Sequence, residues 1–546
     1  MPPLLFLSLL CLLSSAPAAA APFRIASIFG SNMVLQRDTD VRVWGWARPG
    51  SFVYGALMET ARNTSLLASG GADSSGLWQL YFPPQSASID GYKLMLTSSP
   101  VDEARCDAFA FYCAGASLEL TGISFGDVIG CLGQSNMQVD VNFVFNASAE
   151  LAAANSLGYV ARIFQVPSAS TANDFPLDDF AVPPQIPWSA ASNTSLPSFS
   201  ATCWFSAKSL IAGRPAADAD VPLGLIAAPW GGTAIKAHAP PSVNASCGAL
   251  YPYPYGSNGG DCGLDHAPCN ASTIFNAMIA PIAGPSGFPL SAFLWFQGEN
   301  DATGLEVTSG YYACELAHLA SSLRTAFASP GAHWTTIQLA PYTGGAVLGP
   351  FREMQCETTW ASIPNSACAV IVDDGDVLSP IGSVHSRNKQ LVGRRVATGL
   401  LESIYGVKAP TRGRGPLYAG ASLASSPDGA LSAEVHFDPA TLGGAALVFV
   451  PPSASEWSNS SRCPSELGII KESDCGWSYI IGSDGRSYNA TATIAADGSS
   501  LIFEAQAAPG VKAVGTSHGY NAWPVVNFYN AFGLPVVPWN RPNATA

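Results

Sequence analysis

Ser135 and His385 could together attack an acyl carbonyl, because each stands in a sequence context suited to its part of that reaction. Ser135 follows an apolar run and begins a predicted helix, in the sequence Gly-Gln-Ser-Asn-Met at 133–137. A hydroxyl at such a turn is exposed, and neighbouring backbone N–H groups can stabilise the oxyanion that forms on attack. The same position suits a serine that only caps the helix, so this motif alone leaves both interpretations open.

A serine nucleophile needs a base, because the hydroxyl proton must leave as the oxygen attacks. His385 lies in a loop directly before a predicted amphipathic helix that starts at Lys389, where a histidine can reach the edge of a sheet. The other histidines fall in predicted helices, strands or other loops: His238, His266, His318, His333, His436 and His518. We therefore predict Ser135 as nucleophile and His385 as base. A second Gly-Ser-Asn-Met run at 30–33 lies in β-type sequence without a strand and helix around it, so Ser31 is not predicted to be catalytic.

Two glycine-containing blocks could supply an oxyanion hole. Trp-Gly-Gly-Thr at 230–233 follows a predicted strand and exposes backbone amides that no side chain shields. Gln-Gly-Glu-Asn at 297–300 follows another strand, at the end where open α/β sheets hold ligands. We predict that Gly232 and either Gln297 or Asn300 donate to the oxyanion. Each block could also be an ordinary turn between a strand and a helix. Together with the turn that carries Ser135, however, they make three such turns in one sheet, which are less easily explained in that way.

Apolar strand-like runs alternate with longer helical stretches between residues 125 and 406, which is the pattern of a layered βαβ sheet. The predicted strands of this unit are residues 128–132, 221–227, 292–296, 335–339 and 369–372. Predicted helices at 311–327 and 389–405 would cover its faces. Short strands broken by turns predict a β-sandwich-like segment at 22–124 and a further β segment at 407–546. The predicted fold class is therefore α/β with flanking β segments.

The composition is that of a loop-rich globular protein with several domains. Of its 546 residues, 48% are hydrophobic and 12% are charged, and the formal net charge is -14. A nucleic-acid surface would need clustered Lys and Arg, so we expect no nucleic-acid partner. We also expect no membrane span, because no apolar run approaches the ~20 residues that cross a bilayer.

The N-terminal sequence and the cysteines indicate the secretory pathway. A short apolar run at 4–13 and the small residues at 14–21 resemble a signal peptide cleaved near residue 20 or 21, so we expect residues 1–21 to be removed. Of the 13 cysteines, all except Cys11 follow this run, and an oxidising compartment can pair that even number. Local bridges are predicted for Cys106–Cys113, Cys356–Cys368 and Cys463–Cys475, while Cys247, Cys262 and Cys269 need at least one distant partner. We expect a protein that is secreted or delivered to a lysosome or vacuole.

Sequons along the whole chain predict a glycosylated surface. They begin at Asn63, Asn146, Asn193, Asn244, Asn270, Asn459, Asn489 and Asn543. No paired Cys-X-X-Cys or His-X-X-X-His spacing supports a zinc site, so no metal is predicted.

Taken in this order, the three blocks around Ser135, Gly232 and Gln297 resemble those of the sialate O-acetylesterase family in the SGNH-hydrolase superfamily. Further matches extend the resemblance over most of the mature chain: residues 23–27, 32–36, 276–279, 379–385 and 522–524. The resemblance implies a three-layer, flavodoxin-like α/β esterase domain at 125–406. It also implies removal of O-acetyl groups from sialic acids, with Ser135 as nucleophile, His385 as base and no cofactor.

The sequence departs from the superfamily at the acid that often stands two or three residues before the histidine. Those positions are Gly382 and Ser383 here. The imidazole of His385 could therefore be oriented by a backbone carbonyl, by Ser383, or by an acidic side chain that folds back. The acidic candidates are Asp373, Asp374 and Asp376. A Ser-His dyad is the preferred account.

Two alternatives to sialic acid deacetylation stay open at this point. Related SGNH proteins deacetylate neutral polysaccharides such as xylan, and a catalytically dead protein could still bind sugars. The intact Ser135 and His385 argue against the second alternative. Lys236 could suit a carboxylated sugar, but we interpret it as a solvated loop charge. An acetylated sugar is thus the predicted partner, and the sequence leaves the oligomeric state unknown.

Overall fold

The computed structural model describes residues 23–99, 116–168, 175–252, 271–302, 304–343, 347–411, 413–452 and 462–543. The predicted signal peptide, the predicted Cys106–Cys113 bridge, and Cys262 and Cys269 lie outside these ranges. Within them, no helix combines the length and the apolar character needed to cross a membrane.

Short strands build the N-terminal part of the chain. They are β1 (Arg24–Ile25), β2 (Val34–Gln36), β3 (Val41–Trp46), β4 (Phe52–Glu59), β5 (Thr64–Gly71), β6 (Leu77–Phe82) and β7 (Ser88–Ser98). β1, β3 and β6 form one antiparallel sheet, while β4 pairs with β5 and β7. Trp44, Trp78 and Leu94 are fully buried in a core that these strands share. β6 and β7 contribute alternate side chains to that core, while five of the six residues of β3 are buried in it.

The long strand β8 (Ser117–Gly133) belongs both to these N-terminal strands and to the central sheet. Its first half pairs with β7 and β2, and its second half pairs with strands of the central sheet. The border predicted at 124/125 therefore falls inside a strand. The pairing partners of β8 change partway along the strand without a turn, so no turn residues in the sequence mark the border.

Among the described residues, seven strands form the main path of the central sheet, which β2, β4, β5 and β7 extend, and six of the seven run parallel. After β8 they are β9 (Ala161–Gln165), β10 (Ile186–Ala190), β11 (Leu223–Pro229), β12 (Ala292–Phe296), β13 (His333–Ile337) and β14 (Ser366–Ala369). Their spatial order is β10-β9-β11-β8-β12-β13-β14, with the edge strand β10 antiparallel to β9. Because parallel strands end at the same edge of a sheet, the loops after β8, β11 and β12 lie side by side.

Helices cover both faces of the central sheet. The helices of the described chain are α1 (Ser135–Gln138), α2 (Ala147–Ala154), α3 (Ala201–Gly213), α4 (Ile235–His238), α5 (Pro241–Cys247), α6 (Ala280–Ala283), α7 (Gly304–Ser309), α8 (Tyr311–Ala326), α9 (Leu348–Ser362), α10 (Lys389–Tyr405) and α11 (Pro439–Leu442). α3 and α10 pack against each other and against Ile129 and Cys131 of β8. On the other face, buried residues of α8 share a core with Trp295 and Trp334. The predicted helix at 389–405 is confirmed at both ends, and the one predicted at 311–327 ends one residue earlier.

The C-terminal part is again built from strands. They are β15 (Tyr418–Ser425), β16 (Ala430–Phe437), β17 (Val448–Phe449), β18 (Cys475–Gly476), β19 (Ser478–Gly482), β20 (Ser487–Asn489), β21 (Thr491–Ile494), β22 (Ser500–Gln506), β23 (Ala513–His518), β24 (Trp523–Pro524), β25 (Phe528–Tyr529) and β26 (Trp539–Arg541). Two four-stranded sheets, β15-β16-β22-β21 and β20-β19-β23-β26, enclose a core that contains Val435, Phe503 and Trp539. The molecule is therefore a mixed α/β protein with several sheets.

Two central strands begin earlier than predicted. β13 starts at His333 instead of residue 335, and β14 starts at Ser366 instead of residue 369. Polar side chains open both strands and have hydrogen-bond partners: His333 Nε2 lies 3.1 Å from the Thr335 hydroxyl, and the Ser366 hydroxyl donates to the Ile363 carbonyl (2.6 Å). The prediction followed apolar residues and therefore missed strand positions of this kind.

Four disulfides join described cysteines. Cys356–Cys368 and Cys463–Cys475 confirm two of the predicted local bridges. Cys247 pairs with Cys314, which supplies the distant partner expected for it. Cys131–Cys203 joins β8 to α3 and was not predicted. This set of bridges fits the oxidising compartment expected from the sequence.

The close approach of α3 and α10 can be tested by adding one methyl group. A Cβ atom on Gly393 would lie 2.3 Å from the carbonyl carbon of Phe205, so Gly393→Ala must push the two helices apart. We expect this substitution to lower the free energy of unfolding by about 1–3 kcal/mol, measured by guanidinium denaturation. Gly248→Ala is the matched control, because Gly248 is helical and a Cβ there meets no atom within 4 Å. Equal stability of the two variants would contradict the packing described.

Candidate active site

The turn that carries Ser135 is set by the close approach of two strand ends. β8 ends at Gly133, whose φ of 137° lies in the region that favours glycine. A Cβ there would lie 2.1 Å from the carbonyl oxygen of Phe296 at the end of β12. Ser135 then begins α1 and is partly exposed. Within the described residues, no hydrogen bond engages its hydroxyl, which leaves the oxygen available to an incoming group.

Asn136, the residue after the serine, connects this turn to the loop that carries His385. Its side chain is fully buried, and its Nδ2 donates to the carbonyl of Val384 (2.9 Å) and to the carboxylate of Glu299. Its Oδ1 accepts a hydrogen bond from Lys389 Nζ (2.6 Å). The structure therefore brings the serine block, the 297–300 block and the histidine loop together, although they are far apart in the sequence.

The glycine block after β11 lies directly beside Ser135. A Cβ on Gly231 would lie 3.2 Å from Ser135 Cβ, and the Gly231 N–H donates to Gln138 Oε1 (2.7 Å). The next residue, Gly232, has a φ of 72°, so the chain turns here in a conformation that L side chains rarely adopt. Since the Gly231 amide is already engaged, Gly232 is the glycine of this pair that can offer its N–H to a ligand.

The two candidates for the second oxyanion donor, beside Gly232, differ in what their side chains do. Gln297 is fully buried, and the two N–H groups of its Nε2 face three acceptors: the Thr233 carbonyl (2.9 Å), the Gln134 side chain (3.1 Å) and Asp301. The Nδ2 of Asn300 is buried and has no hydrogen-bond partner among the described residues. Gln297 thus holds neighbouring loops together, whereas Asn300 retains a donor for a ligand.

His385 presents a neutral imidazole with one free nitrogen. Its Nδ1 lies 2.6 Å from the carbonyl oxygen of Ile381, which fixes the proton on Nδ1 and the lone pair on Nε2. Nε2 is buried without a partner in the described part of the chain. Burial lowers the pKa of His385 and the positive charge of Lys389 lowers it further, while the Ile381 carbonyl raises it. The ring is therefore suited to accept a proton near neutral pH.

None of the three acidic candidates for a third catalytic member is hydrogen-bonded to His385. Asp376 forms a two-pronged ion pair with Arg387 (2.6 and 2.9 Å). Asp373 pairs with Arg395 and accepts a hydrogen bond from Tyr529. Asp374 is fully buried, and burial raises the pKa of its carboxyl group. Of the orienting groups considered, the backbone carbonyl is the one in contact with the imidazole.

Lys236 and His238 lie on the short helix α4 that follows the glycine block. The Lys236 ammonium donates to the Tyr251 hydroxyl (2.6 Å) and lies 4.8 Å from the centroid of that ring, so it is not the solvated loop charge that we expected. His238 is fully buried, packs edge-on against Trp295, and bonds to the Thr233 hydroxyl (2.8 Å). Burial lowers the pKa of His238 to about 3, which keeps it neutral.

Sequence reasoning missed the residues that hold the site together. Gln134 accepts hydrogen bonds from the Gln297 side chain and, at 3.4 Å, from the backbone N–H groups of Gly298 and Asn300. Gln138 fixes the Gly231 amide, and Asn136 links the loops. The signal in the sequence was the position of all three amides within three residues of Ser135. Gln134 and Asn136 are buried, where amides are rare unless they are bonded. Assigning their partners required the fold.

Comparisons with known proteins identify the family of this chain. The family described as "Carbohydrate esterase, sialic acid-specific acetylesterase" matches residues 126–401, which is just over half of the 546 residues. The sialate O-acetylesterase of Homo sapiens is 28% identical over 426 residues, covering 73% of this chain and 74% of the human protein. That of Mus musculus is 27% identical over 462 residues, covering 76% of this chain and 79% of the mouse protein.

A solved structure is similar over almost the whole chain. It is a carbohydrate acetylesterase from Xanthomonas citri, 25% identical in sequence, with a TM-score of 0.71 and coverage of 95% of this chain and 99% of that one. The flanking β parts are therefore included in the likeness, and the family match covers the block from β8 to α10 that holds Ser135 and His385. This chain belongs to the sialic acid-specific acetylesterase family of carbohydrate esterases and is an esterase of the hydrolase class.

Proposed function

We propose that this protein removes O-acetyl groups from sugars through an acetyl-enzyme on Ser135, with His385 as the base. The observation that carries the proposal is the His385 imidazole, neutral and with a free Nε2, on a loop that Asn136 bonds to the serine turn. The helices on both faces of the parallel sheet fit the three-layer α/β domain of SGNH hydrolases, which we propose as its fold type.

In the first step, Ser135 Oγ attacks the acetyl carbonyl carbon while its proton moves to His385 Nε2. The carbonyl oxygen becomes an oxyanion, which the Gly232 N–H and the Asn300 side-chain amide stabilise. The bond from carbon to the sugar oxygen then breaks, and His385 returns the proton to that oxygen. The products are the deacetylated sugar hydroxyl and acetyl-Ser135.

In the second step, His385 removes a proton from water, which attacks the acetyl-serine carbonyl. Collapse of that intermediate releases acetate and restores the Ser135 hydroxyl. In both steps the imidazolium is stabilised by the Ile381 carbonyl at 2.6 Å, a dipole that takes the place of a carboxylate. The proposal is therefore a dyad oriented by the main chain.

Sialic acids are the proposed substrate class, because the matching family and the mammalian relatives carry that specificity in their descriptions. The proposed location is extracellular or lysosomal, which the four disulfides support.

A neutral acetylated polysaccharide is the second candidate, and the charges around the site favour it. Sialic acid carries a carboxylate, which usually pairs with a cation. Among the described residues near Ser135, Arg387 is paired with Asp376, Lys389 is buried under Asn136, and Lys236 is bonded to Tyr251. Among these described cations, a carboxylated sugar would therefore have to compete with the groups that already engage them.

Substitution of the proposed nucleophile or base tests the mechanism. Ser135→Ala and His385→Ala should each lower kcat by at least about 10³-fold, because either change removes an obligatory participant. The measurement is acetate release, with circular dichroism to show that the fold is retained. Ser31→Ala is the matched control, since Ser31 stands in a similar Gly-Ser-Asn-Met run but bonds to Thr121 in the N-terminal strands. Activity retained in Ser135→Ala would reject the assignment.

The oxyanion donor is tested by Asn300→Ala. Loss of one such donor should lower kcat by about 10²–10³-fold and leave KM within a few-fold, because the bond strengthens only in the transition state. Steady-state kinetics on an activated acetyl ester separate the two parameters. A kcat equal to that of the wild type would show that another group fills the role.

The substrate class is tested by parallel assays of acetate release from O-acetylated sialic acid and from acetylated xylan, each with the Ser135→Ala variant as blank. The sialic acid assay should be positive if the family specificity is kept. Release from xylan alone would keep the mechanism and replace the substrate. Release from neither, together with sugar binding, would identify a protein that binds acetylated glycans without cleaving them.

A further inference from the structure

We propose that Lys389 is a positioning residue for the ester hydrolysis, holding the serine turn against the histidine loop and placing a fixed positive charge beneath the site. This inference rests on the proposed function, because it assigns a role within that reaction. Lys389 is the first residue of α10, four residues after His385, and its side chain is fully buried. Lysine is almost never buried in this way unless it is paired or bonded.

The contacts of Lys389 determine which way the Asn136 amide faces. The ammonium group can only donate hydrogen bonds, so the atom 2.6 Å away must be the Asn136 oxygen. That choice turns Nδ2 toward the Val384 carbonyl (2.9 Å) and the Glu299 carboxylate, both of which are acceptors. With the lysine present, the amide with Oδ1 and Nδ2 exchanged would place two donors against each other. Without the lysine, that exchanged orientation would no longer be disfavoured. Lys389 therefore selects the arrangement that bonds the serine turn to the residue before His385.

Acidic groups around Lys389 favour its charged form, whereas its burial opposes that form. Asp374 and Asp376 face it from the loop before α10, Glu299 faces it from the loop after β12, and the ring of Phe296 lies with its centroid 5.2 Å from Nζ. Asp376 is already paired with Arg387, whereas Asp374 is fully buried beside Lys389 and Ser386. Burial lowers the pKa of Lys389, and the three carboxylates oppose that shift.

The charge of Lys389 also acts on the base. It lowers the pKa of His385, in the same direction as burial, so both effects keep the imidazole neutral. A pH profile that shifts when the charge is removed shows that the charge of Lys389 reaches the base. A fall in kcat at the pH optimum shows in addition that Lys389 holds the loops in position, which a lysine that only balances the charge of Asp374 would not do.

The test is the pH dependence of the Lys389→Met variant, whose side chain has similar length but no charge. In the wild type, kcat/KM should fall on the acid side below pH 6.5, the ordinary value for histidine, because the pKa of His385 is lowered. Removing the positive charge removes one lowering effect, so the pKa of His385 rises. The acid limb of the variant should move to higher pH by roughly half a unit or more, and kcat should fall at least about 10-fold as the loops lose alignment.

A second readout does not depend on the sugar. The rate at which a fluorophosphonate probe labels Ser135 also requires the neutral imidazole, so its pH profile should shift together with that of kcat/KM. Lys408→Met is the matched control, because Lys408 is exposed and lies beyond the other end of α10, a helix about 24 Å long at 1.5 Å per residue. Its profile should match that of the wild type.

Asn136→Ala separates position from charge and remains informative if the Lys389 variant fails to fold. It removes the link to Val384 but keeps the ammonium group, so the rate should fall while the acid limb stays at the wild-type pH. Unchanged rate in Asn136→Ala, or an unshifted limb in folded Lys389→Met, would overturn the inference. A wild-type protein that neither hydrolyses acetyl esters nor reacts with the probe would instead overturn the proposed function itself.

Discussion

One buried side-chain amide, that of Asn136, connects the parts of the molecule that must act together. The side-chain oxygen accepts a hydrogen bond from Lys389, and the side-chain nitrogen donates to Val384 and Glu299. The backbone carbonyl of Asn136 accepts a hydrogen bond from the Thr202 hydroxyl (2.9 Å). Each partner can play only its own part, since a carbonyl cannot donate and an ammonium group cannot accept. The serine turn, two loops and two helices therefore have one arrangement in which every one of these groups is satisfied. Because an unmade bond is costly in a buried site, the same network that stabilises the fold also positions the site.

Much of the candidate site could be predicted from the sequence, because the chemistry needs few residue types in fixed contexts. The serine, histidine and glycine blocks follow strands of one parallel sheet, so their convergence depends only on strand order and direction. The choice between Gln297 and Asn300 could not be made in this way, since it depends on which amide already has partners. The same holds for the acidic residues. Asp376 is close to Arg387 in sequence, but the pairing of Asp373 with Arg395 and Tyr529 is visible only after α10 and the C-terminal strands are placed.

The fold could be predicted where burial and hydrophobicity coincide, as in β12, all of whose five residues are apolar and buried. It was less predictable where polar groups are buried with partners. Arg352 is the clearest example, because this fully buried guanidinium donates to four carbonyls, those of Leu339 and Ala340 after β13 and those of Asn521 and Ala522 before β24. Nothing in the local sequence around Arg352 indicates that it joins the central sheet to the C-terminal strands.

The continuity of β8 limits how the molecule can move. Near its midpoint the strand is bonded to β2 through Ser124 to Gly126, and from Asp127 onward it is bonded to β11. A hinge at this point would have to break main-chain hydrogen bonds along the strand, in contrast to enzymes that close two lobes around a ligand over a flexible linker. Substrate access must therefore be governed by the loops at the carboxyl edge of the sheet. Differences in selectivity between relatives should accordingly reside in the length and sequence of those loops, on a frame that itself stays rigid.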